Sequence, residues 1–138
     1  GPSRGHRTLS ERCLALFDKA RRALEASRRA LDQSDRETAS DRAYYAVYYA
    51  AWGLLDLAGA PRPKTHNGLI AEFSRHYVKE KQVDVEIGAI LSRLQQLRLV
   101  ADYTLEPIPL DDAKRAIAEA ERFIAVAEAL MAAAPPAS

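Results

Sequence analysis

Arg98 and Asp102 stand four residues apart in the run RLVADY, with Tyr103 just beyond, so on a helix the cation and the acid share one face. An arginine offers a planar fork to phosphate and stays charged, whereas a carboxylate is a weak base at neutral pH and repels phosphate. The pair therefore reads in two ways: a phosphate-binding cation beside an unusual acid–base position, or an intrahelical salt bridge worth a few tenths of a kcal/mol. Lys64, Thr65 and His66 form a second candidate. At a helix start their side chains and the free backbone N–H groups suit an anion. The alternative is that Thr65 merely caps and His66 packs against a neighbouring helix. A third group, Tyr45, Tyr48, Tyr49 and Trp52, falls at i, i+3, i+4 and i+7, on one side of a helix. Such rings can stack nucleobases, but an aromatic stripe at this spacing also serves as a core or self-association face, the simpler use. Arg42, one turn before Tyr45, either joins Arg98 at a phosphate or pairs with a nearby acid. His76 reads as a mid-helix surface residue, and His6 lies in the aperiodic start.

Helices must position these groups. Thr8 and Glu11 have capping-box spacing, and Leu14, Phe17, Leu24 and Leu31 keep one face apolar, which predicts a helix over about 9–32. Ser34 and Glu37 repeat the signature before a second helix over about 35–58, closed by Gly59 and then Pro61 and Pro63. Thr65 is the expected N-cap of a shorter helix carrying Leu69, Ile70, Phe73 and Tyr77, ended by the charged turn KEKQ. Ile87, Ile90, Leu91, Leu94, Leu97 and Ala101 trace a fourth helix from Val85 to Asp102, stopped by the prolines of TLEPIP. Ala113, Ile117, Ala120, Ile124, Ala127 and Met131 form the seam of a fifth. No alternating β-branched run occurs. The expected class is all-α, an up-and-down four-helix bundle with an additional short helix.

The chain's 138 residues fit one domain, expected over 9–131, with 1–8 a disordered start or tag remnant and 132–138 a fraying tail. Twenty basic against 19 acidic side chains exclude the strongly basic body of a non-specific nucleic-acid binder. The charge is nonetheless polarised: residues 1–42 and 61–81 are each +3, and residues 102–128 are −4. A basic patch for phosphate or ordinary solvated helix faces would both give this. Cys13 is the only cysteine, which excludes an intrachain disulfide or thiolate metal site and suits a reducing cytoplasm. There is no apolar run of membrane-spanning length, no glycine-rich phosphate loop and no histidine pair at ligand spacing. No metal or cofactor is therefore expected, and no membrane.

Three pieces, DRAYYAVYYAAWGLLDLAG at 41–59, KTHNGLIAEFSRHYVKE at 64–80 and LRLVADY at 97–103, together resemble the HEPN superfamily of nucleotide-binding helical domains. The resemblance is to its small stand-alone prokaryotic branch and covers about residues 9–131. It implies a helical bundle that pairs with itself, similar to toxins encoded beside a minimal nucleotidyltransferase. In active relatives an arginine, followed four to six residues later by a histidine, builds a metal-independent RNA-cleaving cleft at the dimer axis. Arg98 matches that arginine, but Asp102, Tyr103 and Thr104 stand where a histidine would.

Metal-independent cleavage requires a base for the 2′-hydroxyl proton, a cation for the phosphate and an acid for the leaving oxygen. The resemblance makes Arg98 the cation, with Asp102, Tyr103 and His66 as the remaining catalytic candidates. His66 becomes a replacement base if the fold brings it near Arg98. Arg42, Tyr45, Tyr49, Lys64 and Thr65 are the candidate RNA or nucleotide contacts. It further implies that Tyr103 is a position a partner nucleotidyltransferase could modify; otherwise its ring plugs the bundle end. Two functions follow: a toxin-like component acting on RNA, or a non-catalytic module that holds a nucleotide or substrate for a nucleotidyltransferase. A purely structural interaction domain is a third.

Overall fold

The computed structural model describes residues 9–134, so the expected Thr8 cap, His6 and the ends 1–8 and 135–138 lie outside the described residues. Five helices, α1 (Glu11–Asp32), α2 (Arg36–Leu57), α3 (His66–Phe73), α4 (Val85–Tyr103) and α5 (Leu110–Ala132), form an all-α bundle, with a π turn, Ser74–Val78, continuing α3. No strand occurs among the described residues.

Local chemistry places the ends. Ser10 caps α1 by accepting from the Cys13 N–H at 2.9 Å, so the helix starts later than the Thr8 signature suggests. Asp35, not Ser34, caps α2, its Oδ1 accepting from the Thr38 N–H at 3.1 Å. Ser34 is instead the left-handed residue (φ 63°) that closes α1, with the Asp35 N–H reaching Ala30 O at 2.8 Å. Thr65 caps α3 as expected, accepting from the Gly68 N–H at 2.9 Å. Gly59 (φ 76°) closes α2, with the Ala60 N–H on Leu55 O.

Helix α2 packs against α1, α3, α4 and α5, so it is the axis of the molecule. This central place explains why Ala39, Ala43, Tyr44, Val47, Ala50, Leu54 and Leu55 are all buried although they cover more than one face. Alanines here let neighbouring helices approach closely, and Phe17, Phe73, Phe123, Ile90 and Leu91 fill the space around them. Leu14, expected on the apolar face of α1, is instead half exposed, because Cys13, Leu16, Phe17 and Ala20 take the inward positions. The Cys13 thiol gives its hydrogen bond to Gly53 O at 3.5 Å; burial, then the nearby Asp56, push its pKa up to about 11, so it is an inert core group.

Gly53 marks the closest approach of α1 and α2. A Cβ there would lie 2.8 Å from Phe17 Cε2 and 2.9 Å from Cδ2, and that ring is wholly buried. Gly53→Ala is therefore expected to destabilise the fold by about 1–2 kcal/mol, overpacking outweighing the better helix propensity. Denaturant midpoints check this, and a raised midpoint would show that the ring can move aside.

Candidate functional site

Arg98 occupies the penultimate turn of α4, where that helix crosses the start of α2. Its Nε donates to Asp41 Oδ1 at 3.2 Å, and Asp102 Oδ2 lies farther off, at 3.9 Å. The i,i+4 pair is thus the looser of two contacts, and the tighter one joins residues 57 apart in sequence. Asp41 also accepts from Arg42 Nη2 at 3.4 Å, so one carboxylate orients two guanidinium groups. Arg42 lies over the Tyr45 ring (4.9 Å), and Arg98 lies 5.3 Å from the same ring and 5.5 Å from that of Tyr44.

Tyr44 links this cation to the third helix. It is fully buried, and its hydroxyl is 2.5 Å from His66 Nδ1. The imidazole stacks on Tyr48 at 4.6 Å and on Tyr44 at 5.6 Å between ring centres. Burial raises the Tyr44 hydroxyl well above the usual phenol range, outweighing the opposing pull of Arg98, so the phenol stays protonated. Burial lowers the His66 pKa below its ordinary value, and the positive charge of Arg98 lowers it further. His66 is therefore neutral at pH 7 and able to take up a proton. With Nδ1 engaged by Tyr44, Nε2 is the nitrogen a substrate would meet, and that role requires Nδ1–H to donate to the Tyr44 oxygen.

The sign of the pH effect follows. Because the folded state prefers the neutral imidazole, His66 contributes stability that is full above the unfolded value near 6.5. That contribution is lost as pH falls through the lowered folded value. An NMR titration of the His66 ring is expected to give an apparent pKa below 6.5, and His66→Gln to flatten the acid limb of the stability profile. A titration at or above 6.5 would remove the argument for a neutral base.

Other sequence candidates fall around this centre in different ways. Tyr45, Tyr49 and Trp52 are half-buried on the flank of α2, while Tyr48 is turned inward. Thr65 is used as a cap, and Lys64 is exposed on the turn before it. Tyr103 is 85% exposed at the end of α4, so its ring does not plug the bundle. His76 is not a bare surface group: its Nε2 is 3.3 Å from Glu72 Oε2. Sequence reasoning missed Asp41 and Tyr44. Both stand in the quoted second-helix motif, but only the crossing of α2 and α4 shows that they hold Arg98 and His66.

Beside Arg98 opens a cleft of about 540 Å³ lined by Glu37, Thr38, Ser40, Asp41 and Asp102. Ser40 is 2% exposed and its Oγ has no hydrogen-bond partner among the described residues. The cleft thus presents carboxylates and hydroxyls to the guanidinium's free side, and the tyrosines and His66 form the other wall of Arg98. No group of histidine, cysteine or carboxylate side chains among the described residues is arranged to hold a metal ion.

The family model described as the HEPN domain matches residues 14–130. The chain is 32% identical over 119 residues to a Methanocaldococcus jannaschii protein named a putative toxin, covering 86% of this chain and 88% of that one. A second protein of that organism, also named a putative toxin, is 32% identical over 88 residues, 64% of this chain and 59% of its own length. A UPF0332 protein of Gloeobacter violaceus is 31% identical over 119 residues, 85% and 94% of the two chains.

Proposed function

On the premise that this chain belongs to the HEPN domain family, we propose that it is a toxin-like protein that acts on RNA at Arg98, in a cleft shared by two copies. The relatives named as toxins support the toxin-like role. The observation that carries the RNA reading is the linkage of Arg98 to His66 through Tyr44. That linkage puts a neutral imidazole and a fixed cation on one aromatic anchor, although no histidine follows Arg98 in sequence.

In this reading Arg98 stabilises the charge that builds on the phosphate, and His66 Nε2 accepts the 2′-hydroxyl proton as that oxygen attacks phosphorus; the bond from phosphorus to the 5′-oxygen breaks, leaving a 2′,3′-cyclic phosphate, and the departing 5′-oxygen takes a proton from water. Asp41 orients the guanidinium and Asp102 flanks it as a second, weaker contact. Arg42 and Lys64 draw the backbone in. Tyr103, exposed one residue beyond Asp102, is the hydroxyl that a partner nucleotidyltransferase would modify to silence the site. No helix among the described residues is long and apolar enough to cross a membrane, and a cytoplasmic setting fits an RNA target.

The test is incubation of total RNA with purified protein in chelator, comparing wild type with His66→Ala and Arg98→Ala at matched circular dichroism. Cleavage lost in both variants supports the reading. Intact RNA with wild type, prepared without a partner and unmodified at Tyr103, removes it. The capture of Arg98 by Asp41 favours a second reading, a module that holds a nucleotide for a partner nucleotidyltransferase. Nucleotide binding without cleavage in the same preparation would select it.

A further inference from the structure

Each of the half-buried rings along the flank of α2 carries its own cation. Arg42 and Arg98 lie over Tyr45, Lys19 Nζ is 4.7 Å from the centre of Tyr49, and the Arg62 guanidinium is 4.2 Å from that of Trp52. The rings form a continuous ladder, because Tyr48 touches Tyr45, Tyr49 and Trp52 at 5.7–6.2 Å. Three of these four charges come from three other elements: α1, α4 and the loop before α3 all lean onto one face of α2. Among the described residues the ion pairs place only Asp41 and, more loosely, Asp102 against them, and both acids lie at the Arg98 end. No ion pair involves Lys19 or Arg62 among the described residues.

A second copy of this chain is a poor occupant of the stretch from Tyr49 to Trp52, with Lys19 and Arg62, which lies beyond the Arg98 cleft. In a two-fold interface the same patch meets itself, and this one would set cations against cations. The face instead matches a polyanion with flat, unpaired π-systems. The rise of an α-helix places Tyr45 and Trp52 about 10 Å apart along the axis, a span for two or three successive bases. We infer that this cation-and-aromatic ladder binds an unpaired polynucleotide strand, running along α2 from Trp52 and Arg62 and delivering the next phosphate to Arg98. A duplex hides its base faces and gains only the charges. The strand is read through stacking and phosphate contact, so it is accepted with little regard to base sequence. This inference rests on the RNA reading of the Arg98 site and names the form of RNA that the site takes.

Trp52 is the chain's only tryptophan, so its fluorescence reports the ladder directly. The probe is an unpaired oligonucleotide carrying 2′-O-methyl groups, which binds without offering a nucleophile for cleavage; the same sequence as a duplex is the comparison. The unpaired strand is expected to quench Trp52 and bind at least tenfold more tightly than the duplex. Its affinity should fall with salt at a log–log slope of roughly −3, since each of four phosphate contacts contributes about −0.7. Arg62→Glu, at an exposed position, is expected to weaken binding more than tenfold and make the slope shallower. Tyr49→Leu, with helical dichroism unchanged, is expected to weaken it about tenfold at unchanged slope. Equal affinity for duplex and strand, or unchanged affinity in both variants, would overturn the inference. So would variants that change only the sedimenting mass, since the face would then be covered by another copy. Tight, ladder-dependent binding with no cleavage of ordinary RNA would keep the ladder and remove the catalytic reading. Cleavage indifferent to Arg62 and Tyr49 would do the reverse.

Discussion

Arg98→Ala is expected to lower metal-free RNA cleavage by about 10²–10³-fold while leaving the bundle folded. The size follows from the role: a fixed cation beside a phosphate that gains charge in the transition state acts where water is partly excluded, and losing one such group costs about 3–4 kcal/mol of barrier. The fold should survive because Arg98 and Asp41 are both partly open to solvent, at 23% and 39%. Such a pair contributes about 1 kcal/mol or less, and Asp41 keeps Arg42. Arg98→Lys is expected to recover only part of the rate, since an ammonium cannot contact Asp41 and a phosphate through one planar fork. Timed gel assays on a defined RNA, with melting curves for each variant, separate rate from stability. A wild-type rate in Arg98→Ala would place the chemistry elsewhere in the molecule.

Tyr44→Ala is expected to be the most damaging single change to the fold near the site, costing about 3–5 kcal/mol. The ring is fully buried in the central helix and meets Tyr45 edge-on, Tyr48 tilted and His66 stacked. Its removal leaves a cavity between α2 and α3 and deprives His66 of both its stacking neighbour and its hydrogen bond. Tyr44→Phe isolates the second loss. It keeps the ring and is expected to cost about 1 kcal/mol through the unpaired Nδ1. Chemical denaturation of both variants gives the two numbers, and a cost below about 1.5 kcal/mol for Tyr44→Ala would mean that the pocket collapses around the missing ring.

Most of the architecture could be read from periodicity. Five helices lie where the apolar spacing puts them, and Thr65 and Gly59 act as cap and closure because few residues suit those backbone positions. Ser34 and Asp35 show where such reading stops: both suit a cap, and the choice depends on which one the turn forces into the left-handed region. Leu14 was misplaced because a stripe with residues at every inward angle does not reveal its centre until a partner helix is laid against it. The site was legible in part. Arg98, His66 and the tyrosines stand out by type, but Asp41 looks like any acid near the start of a helix. Its hold on Arg98 is created by the crossing of α2 and α4. Tyr44 was overlooked for a related reason: an aromatic run on a helix that packs on several sides gives no sign of which ring points inward.

The π turn at Ser74–Val78 bears on how this segment can change over generations. Its wide closure, with the Lys79 N–H on Ser74 O, amounts to one residue added to a helix. In a regular helix a step of four residues overshoots a full turn by about 40°, so Leu69, Phe73 and Tyr77 would wander progressively off one line. The wider turn rewinds that drift and sets Tyr77 under α2, where its hydroxyl donates to Leu54 O. Deleting one residue here would lengthen the regular helix and yet unseat the tyrosine, so the residues ahead of Tyr77 in this turn can change in kind far more readily than in number.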